Sequence, residues 1–223
     1  MNPVSTYSRI VINMLNVLNA PYFTALVTVL LLVLMFAIGS LTYTGFFSLQ
    51  VVCNLLIDNA YLIVIAIGMS FVILAGGIDL SVGSVMALTT MLSASLMHSW
   101  HWPAWAVIVF VLLFGSVFGA IMGGMIHYFK LQAFIVTLGG MFLARGLCYL
   151  ISINSITIED PLFLLMSRMQ LGLLDAFVSP SVVIALLMLI VAIFIAHYTA
   201  FGRTVYAIGG HEQSAVMMGL PVG

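Results

Sequence analysis

The chain has 223 residues, 64% hydrophobic and 5% charged, with a formal net charge of -1 and a mean hydropathy of +1.31. Soluble domains carry about a quarter charged residues, so this composition excludes a water-soluble fold, and the charge balance argues against nucleic acid as a partner. The apolar runs are long and continuous rather than alternating, which predicts spanning helices and not barrel strands.

The expected architecture is an all-α polytopic membrane protein with about six transmembrane helices and one broken-helix segment. Residues 1–23 read as a cytoplasmic or interfacial segment, 24–198 as the transmembrane domain and 199–223 as a cytoplasmic segment. Near the start, Asn13, Asn16 and Asn19 fall at helical spacing, as in a helix lying in the membrane interface or a tail. The first span covers Thr24 to Ile38 and extends as far as Tyr43. No small-x-small site marks it as a cleaved signal. Phe46 to Leu55 leads into a second span from about Asp58 to Ala75.

Between that span and the apolar run Val85 to Met97 stands Gly-Gly-Ile-Asp-Leu-Ser-Val-Gly-Ser, residues 76–84. A lone carboxylate is costly in hydrocarbon, so Asp79 belongs in a break that faces water or protein. Gly76 or Gly77 can take the left-handed conformation that ends a helix. Asp79 or Ser81 can cap the first amides of the next one, with Gly83 inside the same motif. The residues alone leave open whether this break lies within the membrane or at its surface.

His98 and His101 have the spacing of a metal pair, but Trp100, Trp102 and Trp105 crowd the same stretch. Together they read as an interfacial aromatic belt, with no metal site. The fourth span, Ala106 to Tyr128, carries Gly115, Gly119 and Gly123 on one small-residue face that another helix can approach. The fifth, Leu131 to Ser152, holds Arg145 within its apolar run. Arg145 and Asp58 either pair inside the membrane or Arg145 snorkels to the outer interface. After a long interruption, Ser181 to His197 is the sixth span. Cys53 and Cys148 read as small apolar residues, not a disulfide framework. With the N-terminus inside, Arg9, Lys130 and Arg203 are cytoplasmic and only Arg168 is outside, which satisfies the positive-inside tendency.

Near the end, Gly209-Gly210 breaks the chain, and His211 to Met218 can form two helical turns. Glu212 suits the first turn, Gly219 the stop, and Pro221 prevents continuation. The only lysine, Lys130, follows Phe129, so no phosphate loop is present and ATP hydrolysis is not expected of this chain.

Residues Gly68 to Ser84, Gly-Met-Ser-Phe-Val-Ile-Leu-Ala-Gly-Gly-Ile-Asp-Leu-Ser-Val-Gly-Ser, resemble the signature of the permease of ribose-type ABC sugar importers. The galactofuranose importer permeases of enteric bacteria are the nearest group. The likeness extends over Val52 to Ala60, Gln132 to Tyr149 and Phe201 to Val222. It implies a non-enzymatic transport subunit of the bacterial inner membrane, importing a monosaccharide such as galactofuranose or a ribose-like sugar. It implies an ABC ATPase subunit that binds the ATP, a second permease subunit, identical or not, and a periplasmic sugar-binding protein as partners. No cofactor of its own is implied. Gly210, His211, Glu212, Ser214, Ala215 and Gly219 would belong to the coupling helix that docks on the ATPase, with Ala215, Val216 and Met217 as its docking face. Such permeases continue into further spans, so the resemblance also implies a C-terminally truncated permease. The competing class is an ion-coupled secondary transporter, which also uses broken helices with a buried carboxylate.

Overall fold

The computed structural model describes residues 23–173 and 176–220. The expectations for Arg9 and for Asn13, Asn16 and Asn19 lie outside the described residues. The chain divides into two compact units, residues 1–52 and 53–223.

In the first unit, helix α1 (Phe23–Thr42) is apolar on all sides, as a helix facing lipid is. Its end is fixed by a turn in which Gly45 has φ +81°. The Phe46 ring folds back onto Gly39, where a β-carbon would stand 2.7 Å from the ring. It also meets Phe36 edge-on with centroids 5.5 Å apart. Ser48 accepts the Val51 amide at 3.4 Å and so starts helix α2 (Leu49–Leu74). This cap puts Asp58 in the interior of α2, whereas the sequence placed it at the start of the second span.

The second unit continues with α3 (Val82–Trp100), α4 (Ala104–Phe129) and α5 (Ala133–Ile151). The sharp turns between them use left-handed residues, His101 at φ 52° and Lys130 at φ 53°. The long interruption holds a short helix α6 (Pro161–Arg168) and a two-stranded antiparallel hairpin. Asp160 caps α6, its carboxylate accepting the Leu162 amide at 2.8 Å, and Pro161 occupies the first turn, where its missing N–H costs nothing. The hairpin pairs β1 (Leu171–Leu173) with β2 (Ala176–Val178) in the register Leu171↔Val178. Then come α7 (Pro180–Tyr198) and α8 (Ala200–Met217).

Among the described residues, five helices are long and apolar enough to cross a membrane: α1, α2, α4, α5 and α7. The remaining expected span, α3, has 19 residues but is the more polar, with Ser84, Thr89, Thr90, Ser93 and Ser95. It tolerates them because it packs along α5 and α4 and buries Ser84, Leu88, Ala94 and Met97. Its hydroxyls also return to their own helix, Thr90 to the Met86 carbonyl at 2.9 Å and Ser93 to that of Thr89 at 2.8 Å. Polar side chains in apolar surroundings need such partners. α5 packs against α4 at Gly140, where a β-carbon would stand 2.5 Å from the Met122 sulfur. α2 and α7 meet around Ala60, Val182 and Ala185, and a second apolar cluster around Met97, Ala104 and Val107 joins α3, α4 and α6. Only 6–22% of each candidate span is buried within the chain, so most of this apolar surface faces lipid or other protein.

Candidate functional site

The break between α2 and α3 is built by two devices. First, Gly76 takes φ +80°, its amide donates to the Ile73 carbonyl and that of Gly77 to the Val72 carbonyl, each at 2.9 Å. These two bonds form a Schellman stop, which only a residue at ease in the left-handed region closes without strain. Second, Asp79 Oδ1 accepts both the backbone amide and the hydroxyl of Ser81, each at 2.7 Å. Ser81 is 1% exposed and stands at the N-cap of α3. Its hydroxyl therefore donates to Asp79 and makes no cap bond. The expectation that Asp79 or Ser81 caps the first amides of α3 is corrected here. The carboxylate prefers the nearer Ser81 amide two residues on, in an Asx-type turn, and so fixes the residue before the helix.

The break is held from outside by Thr137 of α5. This buried hydroxyl lies 2.8 Å from the Ala133 carbonyl of its own helix and 3.3 Å from the Ile78 carbonyl in the break. The sequence gave no reason to single out Thr137, since serine and threonine in spans ordinarily bond their own helix.

A cleft of about 370 Å³ opens beside the break, lined by Asp79, Ser81, Thr89, Gly115, Gly119 and Met122 among others. Its volume falls in the range of about 300–1,000 Å³ usual for small-molecule sites. Because both Ser81 bonds go to Oδ1, Oδ2 of the half-buried Asp79 has no protein donor among the described residues. On α4, added β-carbons at Gly115, Gly119 and Gly123 would meet nothing within 4 Å. The glycines read from sequence as a packing face therefore border open space within this chain, and Gly115 and Gly119 line the same cleft as Asp79. Gly83, in the first turn of α3, is likewise unobstructed.

Asp58 and Arg145 are not brought together. Both side chains are exposed, and no ion pair joins them among the described residues. His98 and His101 are exposed beside the exposed rings of Trp100, Trp102 and Trp105. Among the described residues, no three metal-binding side chains cluster.

In the final segment the chain is helical through Gly209 and Gly210, and the interruption falls at His211, whose φ -165° and ψ 104° are extended. The sequence placed the break at the two glycines. Gly209 serves a close approach instead of a break: a β-carbon there would run into the Leu74 carbonyl oxygen at the end of α2. Gly210 meets nothing within 4 Å. Beyond His211 a second Schellman stop ends the helix. Gly219 has φ +76°, its amide donates to Val216 at 2.9 Å and that of Leu220 to Ala215 at 3.1 Å. Ser214 is exposed, but Ala215 is fully buried, so it is not part of an open docking face. The exposed apolar surface is formed by Val216, Met217 and Met218. Gly209 was missed as a contact residue, because nothing beside it in the chain marks the approach of α2.

A family model described as "Branched-chain amino acid transport system / permease component" matches residues 51–223. The chain is 44% identical, over 80% of its length, to the inner membrane ABC transporter permease protein YjfF of Escherichia coli. It is 38% identical, over 88%, to the fructose import permease protein FruG of Bifidobacterium longum. It is also 38% identical, over 86%, to the ribose import permease protein RbsC of Haemophilus influenzae. It spans 54, 60 and 59% of those three relatives' own lengths. No solved structure matches.

Proposed function

The chain belongs to the permease-component family of branched-chain amino acid transport systems, and we propose from that premise that it is the membrane-spanning subunit of an ATP-binding-cassette importer for a monosaccharide. Its partners are an ABC ATPase subunit, a second permease subunit and a periplasmic sugar-binding protein. Its place is the bacterial inner membrane, with the N-terminus cytoplasmic. The cargo is galactofuranose or a ribose-like sugar. The relatives named for fructose and ribose import support a monosaccharide, and the galactofuranose reading rests on the resemblance of Gly68 to Ser84.

The observation that supports the reading most is the cleft beside the break. It places polar groups in an otherwise apolar helix packing, at the break between α2 and α3. Asp79 and Thr89 supply oxygen atoms that hydrogen-bond sugar hydroxyls. On α4 the cleft is lined by Gly115 and Gly119 together with the apolar Phe118 and Met122, which supply no strong hydrogen-bonding group. Passage requires contacts that form and release readily, which a few acceptors in an otherwise apolar cleft provide. The sugar is moved without chemical change, and ATP bound by the partner supplies the energy.

The test is uptake of labelled ribose and galactofuranose by cells carrying the protein with its ATPase and binding protein. Uptake should stop on ATP depletion and survive a protonophore that leaves ATP intact. Uptake that follows the ion gradient and persists without ATP would overturn the reading in favour of an ion-coupled transporter.

A further inference from the structure

The contact between Gly209 and Leu74 stands apart from the cleft and joins the two ends of the candidate machinery. α8 starts from a rigid turn. The Thr199 hydroxyl donates to the Ile195 carbonyl at 2.6 Å and accepts the Gly202 amide at 3.3 Å. Gly202 packs so closely on the Ala196 carbonyl that a β-carbon there would overlap it. From this base α8 touches the last turn of α2 twice. The Phe201 ring lies 5.7 Å from that of Phe71, and about two turns further on Gly209 meets the Leu74 carbonyl. Leu74 is the last residue of α2, two residues before the left-handed Gly76. Just beyond Gly209, α8 kinks at His211 and carries the exposed Val216, Met217 and Met218.

We infer that the Gly209–Leu74 contact is the joint through which displacement of α8 moves the break at Gly76 and hence the Asp79 cleft. The inference rests on the importer reading above and adds to it the residue that transmits the movement. Gly209 is a positioning residue, since it touches the end of α2 and not the cargo. Glycine is required because helix and carbonyl approach with no room for a side chain. At the contact itself, a displacement of α8 reaches Leu74 without a compressible side chain between. The Schellman turn at Gly76 has only backbone hydrogen bonds to yield.

The experiment reads the break directly, in the protein assembled with its ATPase. With Cys53 and Cys148 replaced by alanine, Ile78→Cys places a thiol in the break, where Ile78 is 55% exposed. Its labelling rate is compared with and without a non-hydrolysable ATP analogue. The parent should show a several-fold dependence on nucleotide. Gly209→Ala should bring that ratio to one while the ATPase still co-purifies, and Gly146→Ala, at an open site in α5, should leave it unchanged. Alanine is the better helix former at both positions, so backbone propensity does not explain a loss confined to 209. If Gly209→Ala does not assemble, Phe201→Ala decides, because it removes the other α2 contact without a clash. Its ratio should fall at least twofold. An unaltered ratio in Gly209→Ala, or in Phe201→Ala where that variant decides, overturns the joint. A parent with no nucleotide dependence refutes the ATP-driven importer itself, a result distinct from failure of the joint.

Discussion

Replacing Asp79 by leucine removes the acceptor that the amide and hydroxyl of Ser81 share. Hydrogen bonds to a charged group are worth about 1.5–3 kcal/mol each, and those between neutral groups about 0.5–1.5 kcal/mol. Asp79 is half-buried, so the lower values apply, and the two bonds at 2.7 Å contribute about 3 kcal/mol. Asp79→Leu loses all of it and leaves the buried Ser81 hydroxyl without a partner. Asp79→Asn keeps an oxygen acceptor in place and should lose roughly half. In chains of this size each kcal/mol shifts a melting midpoint by about 2–4 °C. The leucine variant should therefore melt roughly 6–12 °C below the parent in detergent, with the asparagine variant between. The assay is thermal melting followed by fluorescence-detected size exclusion at matched expression. Adding Ser81→Ala to Asp79→Leu should recover part of the loss, because the stranded hydroxyl is gone. A leucine variant within about 2 °C of the parent, or an asparagine variant below it, would refute the reasoning that the Asp79–Ser81 pair fixes the start of α3.

Gly76→Val forces a branched side chain to φ +80° and should cost about 1–2 kcal/mol; the same melting assay checks it, against Gly83→Ala at an unobstructed site. Gly140→Leu should destabilise the chain by overpacking against Met122, whereas Gly115→Ala should leave its melting unchanged. On the exposed face of the last helical turns, Met217→Glu should lower co-purification of the ATPase with membrane insertion intact. Ala215→Glu should instead reduce the amount of folded chain, because that position is fully buried.

Most of the helices were legible because their apolar runs are long and punctuated. Thr24 to Tyr43, Ala106 to Tyr128 and Ser181 to His197 anticipate α1, α4 and α7 to within a few residues. Both glycine stops were legible too, since Gly76 and Gly219 follow apolar helical segments where a left-handed residue is needed. The start of α2 was not. Asp58 and Asn59 look like a polar boundary, but Asn59 bonds the Leu55 carbonyl of its own helix at 2.8 Å and Asp58 is exposed on its surface. A polar residue in a span marks a boundary only if its side chain has no partner along the helix. The hydroxyls of Ser70, Thr89 and Thr90 are a similar case, since sequence does not say whether a hydroxyl in a span bonds its own helix or faces a cleft. All three donate to carbonyls of their own helices, and only Thr89 also lines the cleft.

What sequence spacing could not supply is the use of each glycine. Gly76 and Gly219 serve a backbone angle, and neighbouring residues announce that. Gly140, Gly202 and Gly209 serve a close approach by a distant or folded-back segment, and nothing beside them in the chain reports it. Gly115, Gly119 and Gly123 look the most like a packing face, yet they border open space. The distinction matters for the site. A glycine at a stop tolerates only residues at ease with positive φ, and a glycine that faces a backbone carbonyl, as at 202 and 209, has no room for a β-carbon. A glycine on an open wall tolerates alanine within this chain. Alanine at 76, 209 and 115 thus separates three roles in one motif-rich protein: the first should loosen the break, the second should disconnect α8 from it, and the third should narrow the cleft without unfolding anything. Equal melting and equal nucleotide response in all three would mean that the break, the joint and the cleft are not mechanically distinct.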